Sequence, residues 1–289
     1  MDTEKCAALL CALREGTLAR AAERLGYTPS GISRTIAALE EEVGFPLLHR
    51  GRHGVAATEA CEALLPAMRQ MVLQADRCRQ TAAALQGLDA GTVTVGTNYS
   101  SYTHRMAQLI ARFRTMHPAI SFRLIEGTSS VLVKALHENR IDLCLISQRD
   151  GPHHWSPLRR DQLVLMLPPS HPLTARRSVP LALLETERYI DILPGRETDN
   201  SRCLAAQHIV PRERAAGVED CFSAMALAEA GLGVALVNRT IADELRGDVA
   251  FRPLDPPQYV EIGLASAPPE DRSPATQRFL SFLTRELSE

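Results

Sequence analysis

The residues with the clearest chemistry lie between Thr17 and Thr58, TLARAAERLGYTPSGISRTIAALEEEVGFPLLHRGRHGVAAT. Thr28, Ser30, Ser33 and Arg34 are three small hydroxyl residues and one guanidinium, and on a helix Ser30, Ser33 and Arg34 share a face. Such a face suits hydrogen bonding to the base edges and phosphates of double-stranded DNA. Arg20, Arg50, Arg52 and His53 add cations that could meet neighbouring phosphates.

Those side chains need two helices and a hairpin to hold them. Thr17 is an expected N-cap for a helix over 18–25, in which Ala21 and Ala22 are small enough for a second helix to cross closely. Leu25 is expected as the apolar anchor, and Gly26 lets the chain turn without a Cβ penalty. Thr28-Pro29 restarts the chain as N-cap and first helical residue. The second helix runs to about Val43, with Ile32, Ile36, Leu39 and Val43 on one stripe. Leu48 to Thr58 reads as a β-hairpin wing around Gly51 and Gly54, after which Thr58 caps a long helix. Glu4 to Arg14 reads as a first amphipathic helix bracing the pair. A plain helical hairpin is the bland alternative, and the wing and the cap favour a DNA-contacting head. Bulk charge does not. Lys5, Arg14, Arg20, Arg24, Arg34, Arg50 and Arg52 are matched by Asp2, Glu4, Glu15, Glu23, Glu40, Glu41 and Glu42. Affinity must then rest on the placement of a few arginines and on pairing of two copies.

The stretch AAERLGYTPSGISRTIAALEEEVGFPLLHR resembles the helix-turn-helix signature of the LysR-type transcriptional regulators in order and spacing. TEACEALLP resembles the start of that family's linker helix, and HPL at His171–Leu173 and AEAGLGVALV at Ala228–Val237 continue the likeness. The resemblance implies an α/β chain: an N-terminal winged helix-turn-helix with a linker helix, then a two-lobed, type 2 periplasmic-binding-protein-like effector domain. It also implies a homodimer or homotetramer on promoter DNA, with RNA polymerase as a further partner. The family often has Gln where Pro29 stands, basic residues at Ala37 and Ala38, Phe at Leu48 and Gly at Cys61. Proline cannot offer that glutamine's amide, so Ser30, Ser33 and Arg34 carry the expected readout and the operator preference is unusual.

The 289 residues are divided as 1–58 for the DNA head, 59–87 for the linker and dimerisation helix and 88–289 for the effector domain. Lobe 1 is expected at about 91–160 and 266–289, lobe 2 at about 161–265. Along the linker, Leu64, Met68, Met71, Val72, Ala75 and Ala82 form an apolar stripe suited to a second copy, Pro66 removes one helical hydrogen bond, and 87–91 is a hinge. Strands at 92–96, 120–126 and 141–146 alternate with helices at 102–117 and 130–139, a βαβαβ unit with a parallel sheet. A second such unit has strands at 162–167, 188–192 and 233–237 and helices at 199–208 and 221–230. A strand at 260–265 and a helix at 274–287 close the chain, returning to the first lobe.

A ligand in such a body sits outside the carboxyl ends of strands, beside helix N-termini. Thr97, Asn98, Tyr99 and Ser100 follow the first strand, Thr128 and Ser129 the second, and Ser147 the third. Each hydroxyl could simply be an N-cap. Their recurrence at successive strand ends favours a site for a carboxylate. Thr198, Asp220 and Phe222 are the candidates from the second lobe, with Asp220 reading first as a cap and Tyr99 or Phe222 able to stack on a ring.

With 45% hydrophobic and 23% charged residues and a net charge of −2, the composition is that of an ordinary globular protein. No apolar run suggests a membrane partner, and MDTEKCAALLCALREG resembles a signal peptide only weakly, with acids before its apolar run and no A-x-A site after it, so a cytoplasmic location is expected. The seven cysteines form no CxxC pair, which argues against zinc or a disulfide framework. No metal, no cofactor and a small, anionic effector are expected. His153-His154 reads as an exposed loop. Cys203, in DNSRCLAAQH, lies where peroxide-sensing members keep a reactive cysteine, so a thiol sensor is the rival mode. An enzyme would need a nucleophile–base arrangement or a phosphate loop, which the sequence lacks. A solute-binding protein would leave the N-terminal head unexplained.

Overall fold

Three polar caps set out the start of the chain. Asp2 caps helix α1 (Thr3–Glu15), Thr17 caps α2 (Leu18–Leu25) and Thr28 caps α3 (Pro29–Val43), each side chain accepting a backbone N–H three residues on. The computed structural model describes residues 1–51, 54–86, 90–98 and 100–287. Contacts divide the chain into two units, Met1–Gly91 with Glu138–Arg140 and Ser273–Ala275, and the remainder.

In the first unit, Leu9, Ala21, Ala22, Ile32, Ile36 and Leu39 bury a common core. Leu25 is not its anchor, being 38% exposed. The turn after α2 is a Schellman motif: Gly26 has φ +70° and Tyr27 N donates to Ala22 O at 2.9 Å. That motif places its hydrophobic contact on the residue after the glycine, and Tyr27 accordingly packs on the core. Strand β1 (Leu48–Gly51) pairs antiparallel with β2 (Gly54–Ala57) to form the wing; Arg52 and His53 lie outside the described residues. Thr58 then caps helix α4 (Glu59–Leu85), accepting from Cys61 N at 3.1 Å. The apolar stripe of α4 serves first its own head. Cys61, Leu65 and Met68 are buried in the head core, with Leu64, Met71 and Val72 beside them. Ala82 is exposed.

The second unit begins with the expected alternation: β3 (Gly91–Thr97), α5 (Ser100–Met116), β4 (Ile120–Glu126), α6 (Ser129–His137) and β5 (Leu143–Ser147), with β3 and β5 parallel. The chain continues through β6 (His154–Leu167), β7 (Val179–Pro180), β8 (Arg188–Ile192), α7 (Asp199–Ala206), β9 (Glu213–Val218), α8 (Cys221–Glu229), β10 (Ala235–Asn238), α9 (Arg239–Ala242), β11 (Ala250–Ser266) and α10 (Pro274–Leu287). The main sheet runs β10-β6-β11-β5-β3-β4, with β7 pairing with β11.

The second half is not another all-parallel unit. β6 lies antiparallel to both β10 and β11, and β11 antiparallel to β5, while β8 and β9 form a separate parallel pair. β6 and β11 are longer than their apolar stretches, so the expected lobe limits near 160 and 265 fall within two continuous strands. His154 and Trp155 accordingly open β6 and do not lie in a loop. Along β6, Leu163, Leu165 and Leu167 face one core with Tyr189 and Leu236, and Val164 and Met166 face the other with Ile190 and Val237, the period of two that a strand buried on both faces requires. The last helix returns to the start of the unit, where the Phe279 ring lies 5.0 Å from Phe113 and 4.7 Å from Phe122.

Candidate nucleic-acid interface and effector cleft

The exposed end of α3 carries the small polar surface. Thr28, Ser30 and Arg34 are exposed, Ser33 is half-buried, and Arg20 is exposed on α2. Thr28 Oγ1 accepts from Gly31 N at 3.0 Å and lies 3.2 Å from Ser30 Oγ, while Arg34 Nε donates to the Ser30 carbonyl at 3.3 Å. The guanidinium is thus folded along its own helix. Arg50 of the wing donates to Ser33 Oγ and to Glu40. Glu40 is a residue the sequence did not single out. Its Oε1 accepts from Leu47 N at 2.7 Å and Leu48 N at 3.1 Å, so one carboxylate at the end of α3 fixes the approach to the wing.

Gly54 docks the wing on the turn before α2. Val55 N donates to Gly16 O at 2.8 Å, and a Cβ on Gly54, which has φ +115°, would meet Gly16 O at 2.1 Å. Only glycine permits that approach.

In the second unit the structure joins three of the expected effector-site residues. Asn98 Nδ2 donates to Ser129 Oγ at 3.0 Å, and Ser129 Oγ lies 2.9 Å from Ser147 Oγ while accepting from Ser147 N at 3.1 Å. Ser147 Oγ in turn donates to Asp199 Oδ1. With Asn98 and the Ser147 amide as donors to Ser129, its proton is directed to Ser147, and the Ser147 proton to the carboxylate. The chain of donors therefore has one direction. Arg149, which sequence reasoning missed, completes it: Nη1 donates to Ser147 Oγ at 2.8 Å, Nη2 to Asp199 Oδ1 at 3.1 Å and Nε to Ser130 Oγ at 2.9 Å. Arg149 and Asp199 are an ion pair with side chains 7% and 5% exposed. A cavity of about 330 Å³ opens beside them, with Leu163, Arg202, Cys203 and Val260 on its walls, a volume within the range of small-ligand sites.

Of the other candidates, Thr128, Thr198 and Asp220 accept backbone N–H groups at helix starts. Thr97 is buried at the end of β3, and Thr128, also buried, accepts from Val131 N at 3.5 Å at the start of α6. Tyr99 is outside the described residues, and Ser100 opens α5. Thr198 forms a reciprocal capping box with Ser201. Asp220 caps α8, and the hydrogen bond from Ser223 N holds its carboxyl below the usual carboxylate range. Phe222 is 62% exposed. Arg202 donates to Glu197 at 2.7 Å and is the main cause that holds its carboxyl low. Cys203 is half-buried; burial pushes its thiol up to about 11, and Sγ lies 3.8 Å from Gln258 Oε1 as a donor. A peroxide-reactive cysteine needs the opposite shift. Among the described residues no group of acidic, histidine and cysteine side chains could hold a metal ion, and no helix is long and apolar enough to cross a membrane.

A winged helix-turn-helix joined to this α/β body is matched by two domains of one family. The LysR substrate binding domain matches residues 86–288, and the bacterial regulatory helix-turn-helix protein of the lysR family matches residues 4–62. The chain belongs to the LysR family. It is therefore a ligand-responsive, DNA-binding transcriptional regulator and not an enzyme. The LysR-family chain is 28% identical over 297 residues to the probable HTH-type transcriptional regulator LrrA of Synechococcus elongatus, covering 100% of this chain and 98% of that protein. It is 28% identical over 273 residues to the HTH-type transcriptional regulator BudR of Raoultella terrigena, covering 91% and 93%. Its fold is shared with a variant of OxyR from Pseudomonas aeruginosa, with a TM-score of 0.76, 20% identity and coverage of 99% and 94%. It is shared also with CbnR complexed with target DNA, with a TM-score of 0.63, 23% identity and coverage of 99% of both chains.

Proposed function

We propose that this LysR-family regulator acts in the cytoplasm as a homodimer or homotetramer on a partly palindromic promoter site, and that a small anionic metabolite sets its output. The exposed face of Thr28, Ser30, Ser33 and Arg34 enters the major groove, with Arg20, Arg50, Arg52 and His53 on flanking phosphates. The far half of α4 supports self-pairing, since Leu85 is 86% exposed there while the near half is occupied by the head core. RNA polymerase is the partner that reads the result. No cofactor enters the cycle.

The observation that carries the effector assignment is the one-way chain of donors from Asn98 through Ser129 to Ser147, which ends on a carboxylate oxygen beside a cavity. A carboxylate is what such a set of donors favours. The effector then shifts the population between two arrangements of the protein by binding one of them more tightly. Thermal unfolding across a panel of small carboxylates tests this. At least one should raise the melting temperature, and Ser129→Ala and Ser147→Ala should each remove that rise. A stabilising carboxylate whose effect survives both substitutions binds elsewhere and contradicts the assignment.

A further inference from the structure

We infer that Asp199 is a tethered carboxylate that fills the anion subsite of the cleft when effector is absent, and that an effector carboxylate binds by exchanging with it. The inference rests on the proposed cleft and adds how that site is regulated and what it selects.

Two donors of the cluster meet on one carboxylate oxygen, and the others stand behind them. Ser147 Oγ and Arg149 Nη2 both donate to Asp199 Oδ1, and Ser129 and Asn98 stand behind Ser147 in the same chain. These donors come from the ends of β3 and β5, the start of α6 and the residues just after β5. Asp199 comes from the first turn of α7, fifty residues away from Arg149 in sequence. The chain thus supplies from its second lobe the same functional group that the strand ends of the first are arranged to receive.

Asp199 is not needed to start its own helix. Thr198 caps α7 through Ser201 N at 3.1 Å, and the Ser201 hydroxyl accepts from Thr198 N at 2.9 Å. An acidic residue in a first helical turn ordinarily stays in solvent and interacts with the helix dipole. Here it is 5% exposed and paired with a guanidinium that is 7% exposed. A buried guanidinium left without its counter-charge is strongly unfavourable. Whatever displaces Asp199 must therefore bring a negative charge of its own, which selects carboxylates against neutral amides and alcohols of the same shape. The neighbouring cavity holds the body of the incoming molecule against Leu163 and Val260, with Arg202 on its wall. Exchange frees α7 from the strand ends of the first lobe, so occupancy of the subsite is linked to the position of the second.

The test is chemical replacement of the lost side chain. Acetate is the Asp199 side chain without its tether. Binding of acetate, malonate and benzoate to the 289-residue protein is measured by calorimetry and by thermal unfolding, for the wild type, Asp199→Ala, Asp199→Asn and Arg149→Met, with acetamide as the neutral control. A tethered competitor that holds the subsite nine-tenths of the time weakens an outside ligand roughly tenfold. Asp199→Ala and Asp199→Asn should therefore bind acetate about tenfold or more tightly than the wild type does. Acetate should restore the unfolding temperature of Asp199→Ala, acetamide should do nothing, and Arg149→Met should bind none of the carboxylates. The asparagine variant keeps the side-chain shape, so a folding defect in the alanine variant does not blunt the test. Equal carboxylate affinity in the wild type and both Asp199 variants, with loss in Ser129→Ala, overturns the tether and leaves the cleft standing. Failure of acetate to bind either Asp199 variant overturns the tether. Carboxylate binding that survives Arg149→Met, Ser129→Ala and Ser147→Ala overturns the cleft assignment as well.

Discussion

Arg50, on the first strand of the wing, donates to Glu40 Oε2 at 3.3 Å and to Ser33 Oγ at 3.2 Å on the third helix. The wing's arginine and the recognition helix are therefore one hydrogen-bonded unit before DNA arrives. Because Glu40 also receives the Leu47 and Leu48 amides, it links the helix, the loop and the wing with a single side chain. The orientation of the wing relative to α3 is thus built into the head.

Glu40→Ala should destabilise the head by about 1–3 kcal/mol, the range for leaving partly buried amides without an acceptor. Glu40→Gln keeps an acceptor for the two amides and releases Arg50. Denaturant unfolding should show a clear loss for alanine and a small one for glutamine, while both alter DNA affinity. Equal unfolding midpoints for wild type and Glu40→Ala would show that the loop is held without the carboxylate.

Gly54→Ala should displace the wing. The added Cβ meets Gly16 O, at a φ that L side chains rarely adopt, and such strained positions cost roughly 1–3 kcal/mol. The amide of Val55 should lose its slow hydrogen exchange as its bond to Gly16 opens. Unchanged exchange at Val55 would contradict this account of the wing.

Arg34→Ala should lower affinity for the specific operator by roughly tenfold or more, the scale of one good base contact. Binding to unrelated DNA and the unfolding temperature should change little, because Arg34 is exposed and bonds to the Ser30 carbonyl of its own helix. An equal loss on specific and unrelated DNA would make Arg34 a phosphate contact.

Cys203 should react slowly. With its thiol at about 11, the thiolate at neutral pH is on the order of one part in ten thousand. Cys78, exposed on the linker helix, should be modified first by an aromatic disulfide reagent, and the Cys203 rate should climb as pH rises toward 11. Rapid peroxide oxidation of Cys203 accompanied by a change in DNA binding would favour the thiol-sensing mode.

The features legible in the sequence were those set by neighbours along the chain. Thr17, Thr28 and Thr58 each precede an apolar run of helical period and each caps a helix, and Ser129 and Ser147 follow strands and meet. The anchor of the first turn lies two residues beyond Leu25, because Tyr27 becomes the hydrophobic contact only once Gly26 adopts its left-handed conformation. Strand β9 is not marked in the sequence because Glu213–Val218 buries no residue fully and lacks alternation. The long β11 was hidden by Pro253, Pro256 and Pro257, which usually argue against a strand. Glu40 looked like one of a run of solvated acids. Arg149 and Asp199 were invisible as a pair because sheet order and the packing of the two lobes bring them together, and nothing local marks either.

DNase footprinting of the 289-residue protein on the DNA upstream of its own gene, with and without the carboxylate that stabilises it, tests the central claim most directly. The account predicts a sequence-selective, salt-sensitive footprint whose length or internal spacing changes when that carboxylate is added, with the change lost in Ser129→Ala. A footprint that the carboxylate leaves unaltered, although the ligand binds at Ser129 and Ser147, would contradict the coupling of cleft to head, and the absence of any selective protection would contradict the assignment of the head.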